Sequence, residues 1–223
     1  MKSFDTIDYY GKHWGLPVYA FDKLDGSNLR FEWSPKRGFY KFGTRNNMID
    51  RSQEQFGFAI DLFLNKYGDG LEKVFKTERI YRNAQNFVCF AELVGTKSEF
   101  GWHDYGNDVF DITLIDVNQF KVGLIPPKQF IDDFAHLGIP EVLYHGNLNK
   151  EFVKTVKANA IEGYNMAEGV ICKGVTPTKK GGDSLYYCKI KTDDWMDRLR
   201  ARGGDEYKKE MAQQALTVSD LVL

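Results

Sequence analysis

An α+β fold with mainly antiparallel sheets is predicted by three observations. Most strand-like runs follow one another through short turns instead of alternating regularly with helices. Alternation of polar and apolar residues with period two recurs, most plainly over residues 28–33 and 184–191. Stretches with apolar residues at helical spacing fall between these runs and at the end of the chain.

Residues 17–22 form a short apolar run. In residues 28–33, Leu29, Phe31 and Trp33 face one way and Asn28, Arg30 and Glu32 the other, the pattern of a half-buried strand. Ser34-Pro35-Lys36-Arg37-Gly38 has turn composition, and residues 39–42 are the return strand. Phe56, Ile60, Phe63, Leu64 and Tyr67 predict a helix over 52–67 with Ser52 as its N-cap. Residues 87–94 and 108–117 are two longer strands. Pro126-Pro127 opens a helix running to His136, and Gly138 and Pro140 close it. Residues 150–161 form another helix. Residues 168–175 and 184–191 are strands joined by a Pro/Lys/Gly turn. Helical pieces 194–202 and 205–216 are split by Gly203-Gly204. No linker, repeat or low-complexity tract interrupts this order.

The 223 residues are 43% hydrophobic, 15% aromatic and 27% charged, which suits a folded domain with a sizeable core and excludes disordered and collagen-like classes. No apolar run approaches the ~20 residues that span a bilayer, so no membrane association is expected. Asp5, Asp8, Lys12 and His13 leave no room for a signal-peptide core, and the cytoplasm is the expected location, that of a host cell for a phage-borne protein. Cys89, Cys172 and Cys188 are too few for a disulfide framework and read as buried thiols. A net charge of -1 argues against retention on nucleic acid by bulk charge alone. It leaves room for a local basic site.

Three local signals carry chemistry. Lys23-Leu24-Asp25-Gly26-Ser27-Asn28 places a primary amine at a strand end beside a tight turn; an ordinary Asp-Gly hairpin with a solvated lysine is the competing account. Tyr187, Lys189 and Lys191 share one strand face, which suits anion binding or a lysine-guarded edge strand. Glu92, Asp111, Asp116 and Glu168 interrupt apolar runs, where a carboxylate needs solvent, a partner, a ligand or a metal. Four of them beside lysine-rich strands favour one charged pocket. There is no P-loop, GxGxxG, kinase, GxSxG or HExxH signature. His13, His103, His136 and His145 are scattered without ligand spacing; His103, in the polar loop 97–107, is the one with some claim to a site role.

These residues resemble, in order, the motifs of the covalent nucleotidyltransferases, the superfamily of polynucleotide ligases and mRNA capping enzymes. Lys23-Leu24-Asp25-Gly26 is similar to motif I, KxDG. Arg45 in Gly43-Thr44-Arg45-Asn46 resembles the arginine of motif Ia, Ala91-Glu92-Leu93 motif III, and Asp108-Val109-Phe110-Asp111-Ile112 motif IIIa. Glu168-Gly169-Val170-Ile171 resembles motif IV and Lys189-Ile190-Lys191 motif V. The KxDGxN form of motif I and the compact spacing are most similar to ATP-dependent RNA ligases of the phage and RNA-editing type. Asp22 departs from the glutamate that many of them carry before the lysine. The stretch after Lys191 is helical and too short for the OB domain of DNA ligases and capping enzymes.

The resemblance implies a nucleotidyltransferase (adenylation) domain, the ATP-grasp-like fold of ligases, over residues 1–193, with a helical extension over 194–223 and no OB domain. It implies an ATP-dependent RNA ligase, acting in RNA repair, that joins RNA 3′-OH and 5′-phosphate ends through lysyl-AMP and RNA-adenylate intermediates. Lys23 would be the nucleophile, with Lys189 and Lys191 as catalytic cations. Asp22, Asp25, Asn28, Arg45, Glu92, Phe110 and Glu168 would bind the nucleotide: Glu92 at a ribose hydroxyl, Phe110 stacked on the base, Arg45 on phosphate or sugar. ATP is the expected AMP donor, and Mg²⁺ or Mn²⁺ the expected metal, on Glu168. RNA ends, in a nicked duplex or single-stranded, are the expected partner, and a monomer the expected state. A minimal DNA ligase core and a non-catalytic nucleotide- or RNA-binding module are the alternatives. The tail holds Arg198, Arg200, Arg202, Lys208 and Lys209 against five acids. Its amphipathic pattern suits packing on the core, and its arginines could instead hold RNA phosphates.

Overall fold

A computed structural model of the chain describes residues 1–2, 4, 7–95, 110–178 and 181–219. The chain divides into two compact units, one of Met1–Asp5 and Asp25–Pro140, the other of Thr6–Leu24 and Glu141–Leu223.

The first unit is built on a six-stranded sheet, antiparallel throughout. Its strands are β3 (Ser27–Ser34), β4 (Gly38–Thr44), β5 (Met48–Ile49), β6 (Phe87–Val94), β7 (Asp111–Gln119) and β8 (Gly123–Leu124), in the order β5-β4-β3-β6-β7-β8. Leu29, Phe31 and Trp33 fill the core, as the alternation predicts. Arg30 and Glu32 are buried as well, because β3 lies between β4 and β6. Glu32 is supplied with donors by Tyr40 Oη and Asn86 Nδ2, and Arg30 donates to the Met1 carbonyl. The strand is therefore not half-buried, and Arg30 and Glu32 each find a partner inside the fold.

Helix α1 (Gly57–Phe63) leads through a π-turn at Leu64–Gly68 into α2 (Asp69–Thr77). The helix thus starts later than expected. Ser52 is no N-cap; its backbone N–H donates to Asp50 in the preceding turn. The rings of Phe63 and Phe75 stack on Phe31 and Phe87, with centroids 3.7 and 4.0 Å apart, and tie the helical face to the sheet. Helix α3 (Pro127–Phe134), with Pro127 in its first turn, continues as a 3₁₀ turn to Leu137.

The second unit is built on a five-stranded sheet of β1 (Asp8–Tyr9), β2 (Pro17–Lys23), β9 (Val142–Asn147), β10 (Gly169–Pro177) and β11 (Asp183–Lys191), in the order β1-β11-β10-β2-β9. Only the β1–β11 pair is parallel. Val18, Ala20, Val170, Cys172, Cys188 and Ile190 turn to one face and pack with Phe152, Val153 and Val156 of α4 (Lys150–Lys157). Asn149 caps that helix, accepting from the Phe152 N–H at 2.8 Å. It ends before the expected residue 161. The three cysteines are buried and unbridged. After β11 come α5 (Asp193–Arg202) and α6 (Gly204–Ser219), split at the glycine pair as expected. No helix among the described residues is long and apolar enough to cross a membrane. The architecture is the predicted α+β fold with antiparallel sheets flanked by helices, and no barrel domain follows β11 among the described residues.

Candidate active site

The chain leaves one unit for the other between Leu24 and Asp25. The Asp-Gly step is therefore not a hairpin, since β2 and β3 belong to different sheets. Lys23 is the last residue of β2, paired in register with Gly169 of β10, which is paired in turn with Lys191 of β11. This register places the two lysines on either side of a residue with no side chain. Gly169 has φ +145°, and a Cβ there would lie 2.1 Å from the Ile190 carbonyl oxygen. Glycine is required at that position by contact as well as by conformation.

Glu168, the residue before it, bridges both lysines. One carboxylate oxygen accepts from Lys23 Nζ and the other from Lys191 Nζ, the second at 2.8 Å. Glu168 and Lys191 are 4% and 5% exposed. Burial alone opposes ionisation of Glu168, but the Lys23 and Lys191 charges outweigh it and hold the carboxyl below its ordinary value. Burial draws the Lys191 amine below its ordinary value, with the Lys23 charge acting in the same sense and Glu168 opposing.

Lys189, two residues back on the same strand face, is buried too. β11 is thus not a solvent-facing edge, because β1 lies outside it. Lys189 donates to Glu210 of α6 at 2.7 Å, and Lys191 lies 3.3 Å from the same oxygen. The Lys191 ammonium sits over the Trp195 ring, 3.3 Å from its centroid. Trp195 is held at the start of α5 by Thr192, whose hydroxyl caps the Trp195 N–H. Asp22 faces Tyr164, whose hydroxyl donates to Asp22 Oδ2 at 3.1 Å, while Asp22 Oδ1 is buried without a hydrogen bond. Burial pushes the Asp22 carboxyl up to about 6, against the pull of Tyr164 and Lys23.

The remaining candidates lie in the first unit. Asn28 and Glu92 are opposite each other on β3 and β6, with Asn28 Nδ2 3.5 Å from the carboxylate. Asp25 is buried. Arg45 occupies the exposed turn between β4 and β5. Phe110 packs against Phe58 and closes over Gly95, where a Cβ would meet its ring at 2.9 Å. Asp111 is exposed and paired with Lys66 at 2.8 Å, and Asp116 is buried with one oxygen accepting from the Val117 N–H. Of these four carboxylates, Glu168 meets Lys23 and Lys191, and Asp111 meets Lys66. Asp108, Val109, His103 and the loop 97–107 lie outside the described residues.

Three contributors were missed from sequence. Glu210 and Trp195 belong to the tail, and Tyr164 to a short irregular stretch. Only Trp195 carried a usable signal, as an aromatic in the first turn of a helix that directly follows motif V. The tail packs through Trp195, Met196 and Leu199, and Arg198 donates to the Ala167 carbonyl at 3.1 Å, next to Glu168. Arg200 is engaged with Asp197 and Tyr207.

Comparison with known proteins agrees with the fold. Among solved structures, the chain is similar to a Naegleria gruberi RNA ligase, seen with pyrophosphate (TM-score 0.62, 13% identity, 90% of this chain and 58% of that one) and, as a mutant, with ATP and Mn (TM-score 0.60, 12% identity, 89% and 58%). It is similar to an archaeal ATP-dependent RNA ligase (TM-score 0.56, 14% identity, 89% and 50%). It also resembles a candidate ATP-dependent DNA ligase from Aquifex aeolicus (TM-score 0.61, 15% identity, 98% and 59%). The chain thus spans between half and about three fifths of the length of these relatives. No curated protein matches it in sequence. The RNA ligase family model matches residues 16–191, from the approach to β2 through Lys191, and on that match the chain belongs to the RNA ligase family.

Proposed function

We propose that the chain is the nucleotidyltransferase part of an ATP-dependent RNA ligase, in which Lys23 takes AMP from ATP and passes it to an RNA 5′-phosphate for sealing by a 3′-OH. The observation that carries this reading is the Glu168 bridge between Lys23 and Lys191, with Lys189 beside them. An amine that attacks phosphorus must be held in place, must lose its proton, and must meet a phosphate whose charge is offset. Glu168 holds Lys23. The ammoniums of Lys189 and Lys191 favour the neutral amine, against the pull of Glu168 toward the charged one, and offset phosphate charge. The Lys23 nitrogen gives up a proton to water and forms a bond to the α-phosphorus as the bond to the pyrophosphate oxygen breaks. A lysine of ordinary pKa, ~10.4, has only about one amine in a thousand free near neutrality, so these neighbours matter to the rate.

The donor set suits a divalent ion that arrives with ATP more than a resident one. Among the described residues no group of three or more potential ligands is found, and Mg²⁺ is commonly held by one or two carboxylates plus substrate phosphates and water. Glu168 would hold the Mg²⁺ or Mn²⁺, which supplies further charge neutralisation at the phosphate. In the same reading Glu92 accepts a ribose hydroxyl, Phe110 stacks on the base, Arg45 holds phosphate or sugar, and Asp22, Asp25 and Asn28 complete the nucleotide contacts. Residues 1–193 form the adenylation domain, 194–223 its helical extension, and the protein acts as a monomer in the cytoplasm. The test is incubation with α-labelled ATP followed by denaturing electrophoresis. Label on the chain supports the reading, and its absence with either metal refutes it. The likeness to the Aquifex protein favours a second reading, a DNA ligase core. Sealing a nick with an all-deoxyribose 3′ strand as fast as one with an RNA 3′ strand would establish it.

A further inference from the structure

The Lys189–Lys191 pair already holds an anion. Glu210 Oε1 lies 2.7 Å from Lys189 Nζ and 3.3 Å from Lys191 Nζ, and Tyr9 Oη donates to Glu210 Oε2 at 3.1 Å. One oxygen shared by two ammoniums, with a hydroxyl on the other oxygen, is how these groups would grip a phosphate. The contact is desolvated: the Lys191, Lys189 and Glu210 side chains are 4%, 10% and 12% exposed. Burial disfavours the Glu210 carboxylate, yet Lys191 and Lys189 hold it ionised below its ordinary value.

The helix carrying Glu210 touches α5, β1 and the 3₁₀ turn Tyr10–His13. None of the α6 side chains described is buried, whereas α5 is anchored by Trp195, Met196 and Leu199. Between the two helices, Gly203 and Gly204 both have positive φ, +69° and +88°, with open space around each. Two glycines at positive φ in succession therefore join α5 to α6 with no side chain to restrict the backbone there.

We propose that Glu210 is an internal stand-in for phosphate, which ATP must displace from Lys189 and Lys191, so that α6 sets the nucleotide affinity of the site. This rests on the reading of those lysines as phosphate ligands. With Glu210 in place, its charge offsets those of Lys189 and Lys191. With it removed, an incoming phosphate meets one more unneutralised charge.

The experiment measures binding of α,β-methylene-ATP with Mg²⁺ by calorimetry, on the full chain and on Glu210→Gln and Tyr9→Phe. The methylene bridge prevents AMP transfer, so the readout does not depend on catalysis. Glu210→Gln should tighten binding about tenfold, the order expected for removing a buried charged competitor, and Tyr9→Phe should tighten it by less. Unchanged or weaker binding in Glu210→Gln overturns the proposal. If that variant does not fold, Tyr9→Phe decides alone, tighter binding supporting the idea and unchanged or weaker binding sinking it. Labelling of the unsubstituted chain with α-labelled ATP is run beside these. Loss of that signal alone defeats the ligase reading, while the affinities still judge Glu210.

Discussion

Lys191 Nζ lies over the Trp195 ring, 3.3 Å from its centroid, so the second lysine of motif V is seated on an aromatic face supplied by the first turn of α5. A buried ammonium needs such partners, and a desolvated cation–π contact contributes about 2 kcal/mol. Replacing Trp195 by Leu should slow lysyl-AMP formation by about tenfold or more, while Trp195→Phe, which keeps a π face, should retain most of the rate. Single-turnover labelling of both, with melting curves, checks this. Equal losses in the two variants at matched stability would show that the ring matters for volume alone.

Lys23→Ala should take no label from ATP. Lys23→Arg should fail equally, because a guanidinium stays protonated at accessible pH and has no free amine to offer. Retained labelling in either variant would move the nucleophile elsewhere.

Glu168→Gln keeps the shape of the side chain and removes the charge that Lys23 and Lys191 share. Breaking a buried pair from one side costs about 3–5 kcal/mol, so a lowered urea midpoint is expected together with a loss of labelling by orders of magnitude. Glu168→Ala should be as poor or worse. Near-normal labelling in Glu168→Gln would reduce Glu168 to a structural carboxylate.

Asp22 gives a pH signature. Its carboxyl titrates near 6 when folded and near 3.8 in the unfolded chain, so the folded state holds the proton over a range in which the unfolded chain has released it. The protonated form is fully compatible with folding below pH about 4. That contribution is lost as pH rises through 6. Asp22→Asn mimics the protonated form and escapes the loss. Relative to the unsubstituted chain it should therefore gain stability between pH 4 and 7, on the order of 1–3 kcal/mol, and none below pH 4. Urea midpoints across that range measure it; a gap that shrinks with rising pH would contradict the shift.

The sequence made the sheets more legible than the helices. Alternation marks β3 and β11 because one residue in two must enter a core, and Gly38 and the Pro/Lys/Gly segment mark their turns. It misjudged which strands lie at an edge, since Lys189 looks solvent-facing until β1, from the start of the chain, pairs outside β11. β9 was not read at all: Val-Leu-Tyr-His-Gly-Asn shows no clean period, and its place is set by pairing with β2. α2 was hidden because a π-turn shifts the apolar phase between it and α1. Lys23, Glu168, Lys189 and Lys191 were found through motif order. Glu210 was not, because its tie to Lys189 bridges 21 residues from a mostly polar helix and no local pattern encodes it.

The interleaving of the two units also governs when chemistry becomes available during synthesis. Lys23 leaves the ribosome early, on a strand whose neighbours, β9 and β10, are still to be made. Asp25–Pro140 emerges next and can settle as a unit, while β2 waits for partners more than a hundred residues away. Closing that long loop is entropically modest but slow. The Lys23 amine therefore meets Glu168 and Lys191 only when β10 and β11 have arrived. A chain arrested before residue 168 would carry Lys23 without Glu168 or Lys191, and on the proposed reading could not take AMP.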